Sequence, residues 1–189
     1  MIKALIEDFS YVVRHLLAGN EWKVIPVAAT VFLLVLIIRL WYGKLRLQHV
    51  VPTFLWAIYT AILFTVTLLG REGTYDSTSG IFRGWTIFRG NGKYSFDALY
   101  NIVMFTPWTF LAAWAFPFLS SRGKLKMVHL LTGLSLCFSL LIESTQLLTA
   151  RGAFQISDLV YNTLSGLWGV LVFLLLEKIF GKAEKSEES

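Results

Sequence analysis

Charge is what this chain has least of. Only 15% of its 189 residues are Asp, Glu, Lys or Arg, while 56% are hydrophobic, against roughly 45–50% apolar in a soluble domain. With a mean hydropathy of +0.62, that balance points to an integral membrane protein rather than a soluble enzyme. The net charge of +5 therefore carries a different meaning. In such a protein Lys and Arg set orientation and meet anionic lipid, so the expected partners are membrane lipids and not nucleic acid. Cysteine is nearly missing as well. Cys137 is alone, which excludes an intramolecular disulfide. His15, His49 and His129 have no metal-ligand spacing with one another or with Cys, so neither a metal nor another cofactor is expected. There is no serine elbow, no HExxH and no paired histidine.

What is present is a series of apolar runs. An all-α fold is expected, a polytopic bundle of about five transmembrane helices preceded by an N-terminal amphipathic helix. In residues 1–22, Ile2, Leu5, Ile6, Phe9, Val12, Val13, Leu16 and Leu17 recur at helical spacing. Lys3, Glu7, Asp8 and Arg14 fill the other side, which suits a helix lying in the membrane interface. The bundle occupies 23–180. About 20 apolar residues cross a bilayer, and spans are expected near 25–42, 51–70, 98–118, 127–149 and 158–178. Pro107 inside the third favours a kink. Residues 85–96, centred on Asn91-Gly92, have the turn chemistry of a hairpin, and their aromatics suit a segment dipping into the interface. The charged tail, 181–189, is expected to be disordered.

Orientation comes from the short loops. Lys44, Arg46, Arg122, Lys124, Lys126, Lys178, Lys182 and Lys185 fall on one side if there are five spans. The positive-inside bias makes that side, with the C-terminus, cytoplasmic. The 71–96 and 150–157 loops then face outward.

Polar residues break this apolar background in a pattern. Thr132, Ser135, Ser139, Glu143 and Gln146 follow one face of the fourth helix. A carboxylate at such a depth costs on the order of 3 kcal/mol unless paired or protonated. The third and fifth spans both open with Asp-x-x-Tyr-Asn: Asp97 to Asn101, and Asp158 to Asn162. In each, Asp and Asn stack on one face, and on the fifth helix Gly166 and Gly169 share it, allowing close backbone approach. A three-helix polar site under the outer surface follows from Asp97, Asn101, Glu143, Gln146, Asp158 and Asn162, with Arg83, Arg89 and Arg151 at its rim. Three roles stay open. The cluster is a structural lock; or it binds, the arginines taking an anionic group while the carboxylates take hydroxyl, amide or amine groups; or Glu143 acts as a catalytic acid or base.

The order of these elements resembles the VanZ-like family of bacterial membrane proteins. The resemblance is carried by Asp97-x-x-x-Asn101 before Met104-Phe105-Thr106-Pro107, by Ile142-Glu143-Ser-Thr-Gln146 before Arg151, and by Asp158-x-x-x-Asn162-Thr163-x-x-Gly166-x-x-Gly169. It covers about 71–176. It implies a protein of the bacterial cell membrane that lowers susceptibility to teicoplanin, an acylated glycopeptide. The outer-facing site would then engage the lipoglycopeptide's lipid anchor or a lipid-linked cell-wall precursor. An intramembrane enzyme acting on a lipid or lipid-linked substrate, and a purely structural or partner-binding membrane protein, are the alternatives.

Overall fold

Residues 21–41, 47–69, 80–86, 96–150 and 152–187 are described, from a computed structural model. Among them are five long helices and no strand: α1 (Glu21–Trp41), α2 (Val50–Phe64), α3 (Phe96–Ala115), α4 (Lys124–Leu148) and α5 (Ile156–Glu187). Short 3-10 turns at Leu47–His49 and Ser120–Arg122 lead into α2 and α4, and a π-helical turn, Thr65–Leu69, ends α2. The N-terminal helix expected over 1–22 and most of the hairpin expected over 85–96 lie outside the described residues.

Among the described residues four stretches are long and apolar enough to cross a membrane: Trp22–Trp41, Val50–Leu68, Lys124–Leu148 and Ile156–Phe180. The remaining helix, α3, is diluted by Asn101, Thr106, Pro107 and Thr109. It does not have to be apolar, because it lies against both α2 and α5, and its pairing with α5 is the most extensive in the bundle. Helical backbone continues to Glu187; Lys, Ala and Glu, which dominate 181–187, are strong helix formers.

Within lipid the hydrophobic effect does not press helices together, so small residues and polar ties do. The α3–α5 seam shows both. A Cβ on Gly169 would meet the Thr106 carbonyl carbon at 2.9 Å, and one on Gly166 would meet the Ser135 Cβ at 2.6 Å. These glycines therefore set the distance from α5 to α3 and to α4. Across the seam, Ser165 Oγ accepts the backbone N–H groups of Phe105 (3.0 Å) and Thr106 (2.9 Å), just before Pro107. The Thr109 hydroxyl lies 2.8 Å from the Gly166 carbonyl. On the α2 side, the Tyr59 hydroxyl donates to the Met104 carbonyl at 2.8 Å and Trp108 Nε1 donates to Thr60 Oγ1 at 3.1 Å. The backbone around the proline is thus held by side chains of α2 and α5, which is how such interruptions are tolerated in membrane helices. Trp108 stacks on Phe138 of α4, centroids 5.5 Å apart and 8° from parallel, in an apolar cluster with Leu63, Leu68, Phe105 and Ile142.

The ends of the helices gather at two poles. At the pole of the basic loops, Lys124 Nζ meets Glu177 Oε2 at 2.6 Å. There too Arg39, near the end of α1, is 9% exposed. Its guanidinium donates to the carbonyl of Ala115, the last residue of α3, and to the His49 carbonyl at 3.4 Å. It also lies over the Phe116 ring, 5.1 Å from the centroid. A cation placed on the orphan carbonyls of a helix C-terminus is favourable in both hydrogen bonding and charge. The opposite pole holds the π turn, the start of α3, the end of α4, the start of α5, and segment 80–86.

Candidate functional site

The polar stripe of α4 faces inward. Ser135 and Ser139 are fully buried, Glu143 is 3% exposed and Gln146 1%. Ser139, Glu143 and Gln146 are each held by a different element. Glu143 Oε2 accepts the backbone N–H of Gln155 at 2.9 Å, one residue before α5 begins. This places a carboxylate at the positive end of a helix, worth roughly 0.3–1 kcal/mol and up to about 2 where partly buried. Glu143 lies five residues before the last residue of α4, about 7–8 Å along the axis at 1.5 Å per residue. Residues 152–155 therefore fold back down toward the bundle to bring Gln155 to its level. The turn leading into them is sharp. Ala150 has φ +52°, the left-handed conformation that commonly ends a helix but is usually taken by glycine.

Gln146 reaches α2. Its Nε2 donates to the Thr67 carbonyl at 2.9 Å, inside the π turn. Such turns carry an extra residue and recur at functional sites. Asn162 of α5, 3% exposed, donates through Nδ2 to Ser139 Oγ at 2.9 Å. The two amides are thus anchored in the same sense: the NH2 side is tied to the protein, and the carbonyl side is not. Gln146 Oε1 and Asn162 Oδ1 are both buried without a hydrogen-bond partner among the described residues. An unpaired buried acceptor costs about 1–3 kcal/mol. Ser139 and Gln146 are seven residues apart on one face, so the two amide positions stand about 10 Å apart along α4, with Glu143 between them.

Segment 80–86 is strapped across the start of α5. The Ile156 N–H donates to the Ile81 carbonyl (3.0 Å), the Ser157 hydroxyl to the Arg83 carbonyl (2.8 Å), and the Tyr161 hydroxyl to the Trp85 carbonyl (2.8 Å). Trp85 and Tyr161 also meet edge to face at 6.0 Å. The crossing is tight at Gly84, where φ is +89° and a Cβ would fall 2.6 Å from Gln155 Oε1 and closer still to Ser157 Oγ. Phe82, at 77% exposure, and Trp85, at 46%, stand outward on either side of the exposed Arg83.

Of the residues singled out from the sequence, Glu143, Gln146 and Asn162 are brought into one buried network. Asp158 is half-buried in the first turn of α5, with Oδ1 3.4 Å from Ser157 Oγ. Asn101 is buried on α3, but the hydrogen bonds of Gln146 and Asn162 run to Thr67 and Ser139 instead of to it. Arg83 sits on the strap. Arg89 and Arg151 lie outside the described residues, and of Asp97 only the helical backbone is described. What the sequence did not point to is the contribution of α2. Thr67 holds Gln146, and the buried Thr65 hydroxyl beside it has no partner among the described residues. The available signal was a run of threonines, Thr60, Thr65 and Thr67, in an otherwise apolar span. Among the described residues no group of three His, Cys, Asp or Glu side chains has the arrangement of a metal site.

A family model described as VanZ/LLP1 matches residues 30–177, which takes in α1 from Thr30 as well as the whole polar network. No curated protein and no solved structure matches the chain.

Proposed function

Since the chain belongs to the VanZ/LLP1 family, we propose that it lowers the susceptibility of a bacterial cell to teicoplanin or related lipoglycopeptides. In this reading the network of Glu143, Gln146 and Asn162 opens to the outer leaflet and engages the antibiotic's lipid-anchored portion or a lipid-linked envelope precursor. The observation that carries it is the pair of buried, unpartnered carbonyl oxygens, Gln146 Oε1 and Asn162 Oδ1. A purely structural lock would gain by pairing them, because an unmade hydrogen bond inside lipid has no water to fall back on. Asp97, Asn101 and Asp158 belong to the same proposed site. Arg83, Arg89 and Arg151 form its rim, where a cation suits an anionic group on the approaching molecule. The C-terminus is cytoplasmic, and the strap and the 149–155 connection face outward.

The test is expression of wild type and Glu143→Gln in a teicoplanin-sensitive host, with membrane levels matched by quantitative immunoblot. The expected outcome is reduced susceptibility with wild type and loss of that effect with the variant. Equal susceptibility for both would remove the basis for a site at Glu143.

A further inference from the structure

The two anchored amides say more than that something binds. Each spends its N–H side on a protein acceptor, Thr67 carbonyl or Ser139 hydroxyl, and leaves its carbonyl oxygen without a hydrogen-bond partner among the described residues. An amide free to rotate would offer a ligand either donor or acceptor. The Gln146 amide is not free, because reversing it would set its oxygen against the Thr67 carbonyl oxygen, acceptor against acceptor, and the Asn162 amide stands with its Nδ2 on Ser139 Oγ. Between them stands the Glu143 carboxylate, an acceptor again. The unpaired hydrogen-bonding atoms of the two buried amides are therefore of one kind.

Resting on the binding role proposed above, we infer that the site is selective for a head group presenting hydrogen-bond donors. Such a group is the hydroxyl-rich or amine-bearing part of an amphiphile, a glycosyl or amino-alcohol head for example. An anionic phosphate presents only acceptors and is held, if anywhere, at the arginine rim. Two donors about 10 Å apart, one turn or so to either side of Glu143, match a head group larger than a single hydroxyl. Such selectivity is a consequence of unequal cost. A donor entering the site completes two buried acceptors, whereas an acceptor would leave them unpaired and add its own desolvation.

The experiment uses the full chain in lipid nanodiscs and native mass spectrometry with two probes of equal acyl length, a dioctanoyl monoglucosyl glycerol and dioctanoyl phosphatidic acid. Methyl glucoside in solution is a third arm. Gln146→Met and Asn162→Leu each remove one acceptor. Each is expected to weaken the glycolipid about tenfold, the scale of one hydrogen bond to a neutral partner, and to leave phosphatidic acid within about twofold. Ser139→Ala keeps both acceptors but frees the Asn162 amide to rotate. It guards against misfolding of the other two and is expected to narrow the preference for glycolipid. Methyl glucoside binding with the same sensitivity would place the source of the head group in water and still support donor selectivity. The inference is overturned if the variants leave glycolipid binding unchanged, or if they weaken phosphatidic acid equally. Either result can be obtained while Glu143→Gln still abolishes protection from teicoplanin, so its failure is separable from failure of the site itself.

Discussion

Replacing Gly169 by alanine tests what holds this bundle together. The added Cβ would meet backbone, the Thr106 carbonyl, with its carbon at 2.9 Å and its oxygen nearer, and a helix backbone cannot swing aside as a side-chain tip can. Helices α3 and α5 must separate, and overpacking of this kind costs about 1–3 kcal/mol. The same seam carries the Ser165 contacts to Phe105 and Thr106 and the Thr109 contact to Gly166. Separation stretches all of them, and interhelical hydrogen bonds in membranes average about 0.6 kcal/mol each, reaching about 1.7. A total loss of roughly 2–4 kcal/mol follows if only part of that hydrogen bonding is retained. Gly133 supplies the control, because a Cβ there has nothing within 4 Å. Gly133→Ala, mid-helix on α4, is expected to be neutral or to stabilise by up to about 1 kcal/mol through helix propensity alone. Reversible unfolding in mixed micelles, followed by tryptophan fluorescence, measures both. If Gly169→Ala matches wild type within about 0.5 kcal/mol, the ordinary scale for an inconsequential substitution, the close seam is not what stabilises the bundle.

Three other substitutions probe separate features. Gly84→Ala, which puts a Cβ into Ser157 and Gln155 at a left-handed φ, is expected to release the strap from α5; hydrogen exchange over 80–86 and 156–161 should rise, and unchanged protection would refute a tight crossing. Ala150→Gly relieves a left-handed alanine and is expected to stabilise by about 1 kcal/mol, read in the same unfolding assay. Arg39→Met leaves the Ala115 and His49 carbonyls without their donor and is expected to cost about 2 kcal/mol or more, with Arg39→Lys recovering only part, since a single ammonium replaces a fork of donors.

The parts of this protein that could be read from sequence are those written in local periodicity. The polar stripe from Thr132 to Gln146 stood out because hydrophilic residues at helical spacing are conspicuous in an apolar run, and the stripe does face inward. Gly166 and Gly169 were legible for the same reason. What could not be read depends on distant partners. Arg39 resembled an ordinary interfacial arginine, because nothing near it in the chain reveals carbonyls supplied by Ala115. The π turn at Thr65–Leu69 has no short-range signature, so the role of Thr67 in orienting Gln146 was hidden. Tyr161 is legible as part of a repeated Asp-x-x-Tyr-Asn, but its work is to hold the Trp85 carbonyl, a contact that exists only once the loop is folded over the helix.

Arg39 also imposes an order of events during biogenesis. Its carbonyl partner at Ala115 lies 76 residues further along the chain. At synthesis rates of about 5–20 residues per second, the guanidinium waits roughly 4–15 s after its own emergence before that partner exists. Throughout that interval the end of α1 has a strong reason to remain at the membrane surface, where water and lipid head groups solvate the charge. Helix α1 packs on α2, which follows it directly in the chain, so only the clasp on Ala115 has to wait. That clasp is a late step, completed when the end of α3 arrives, and the arginine acts as a timer as much as a clasp.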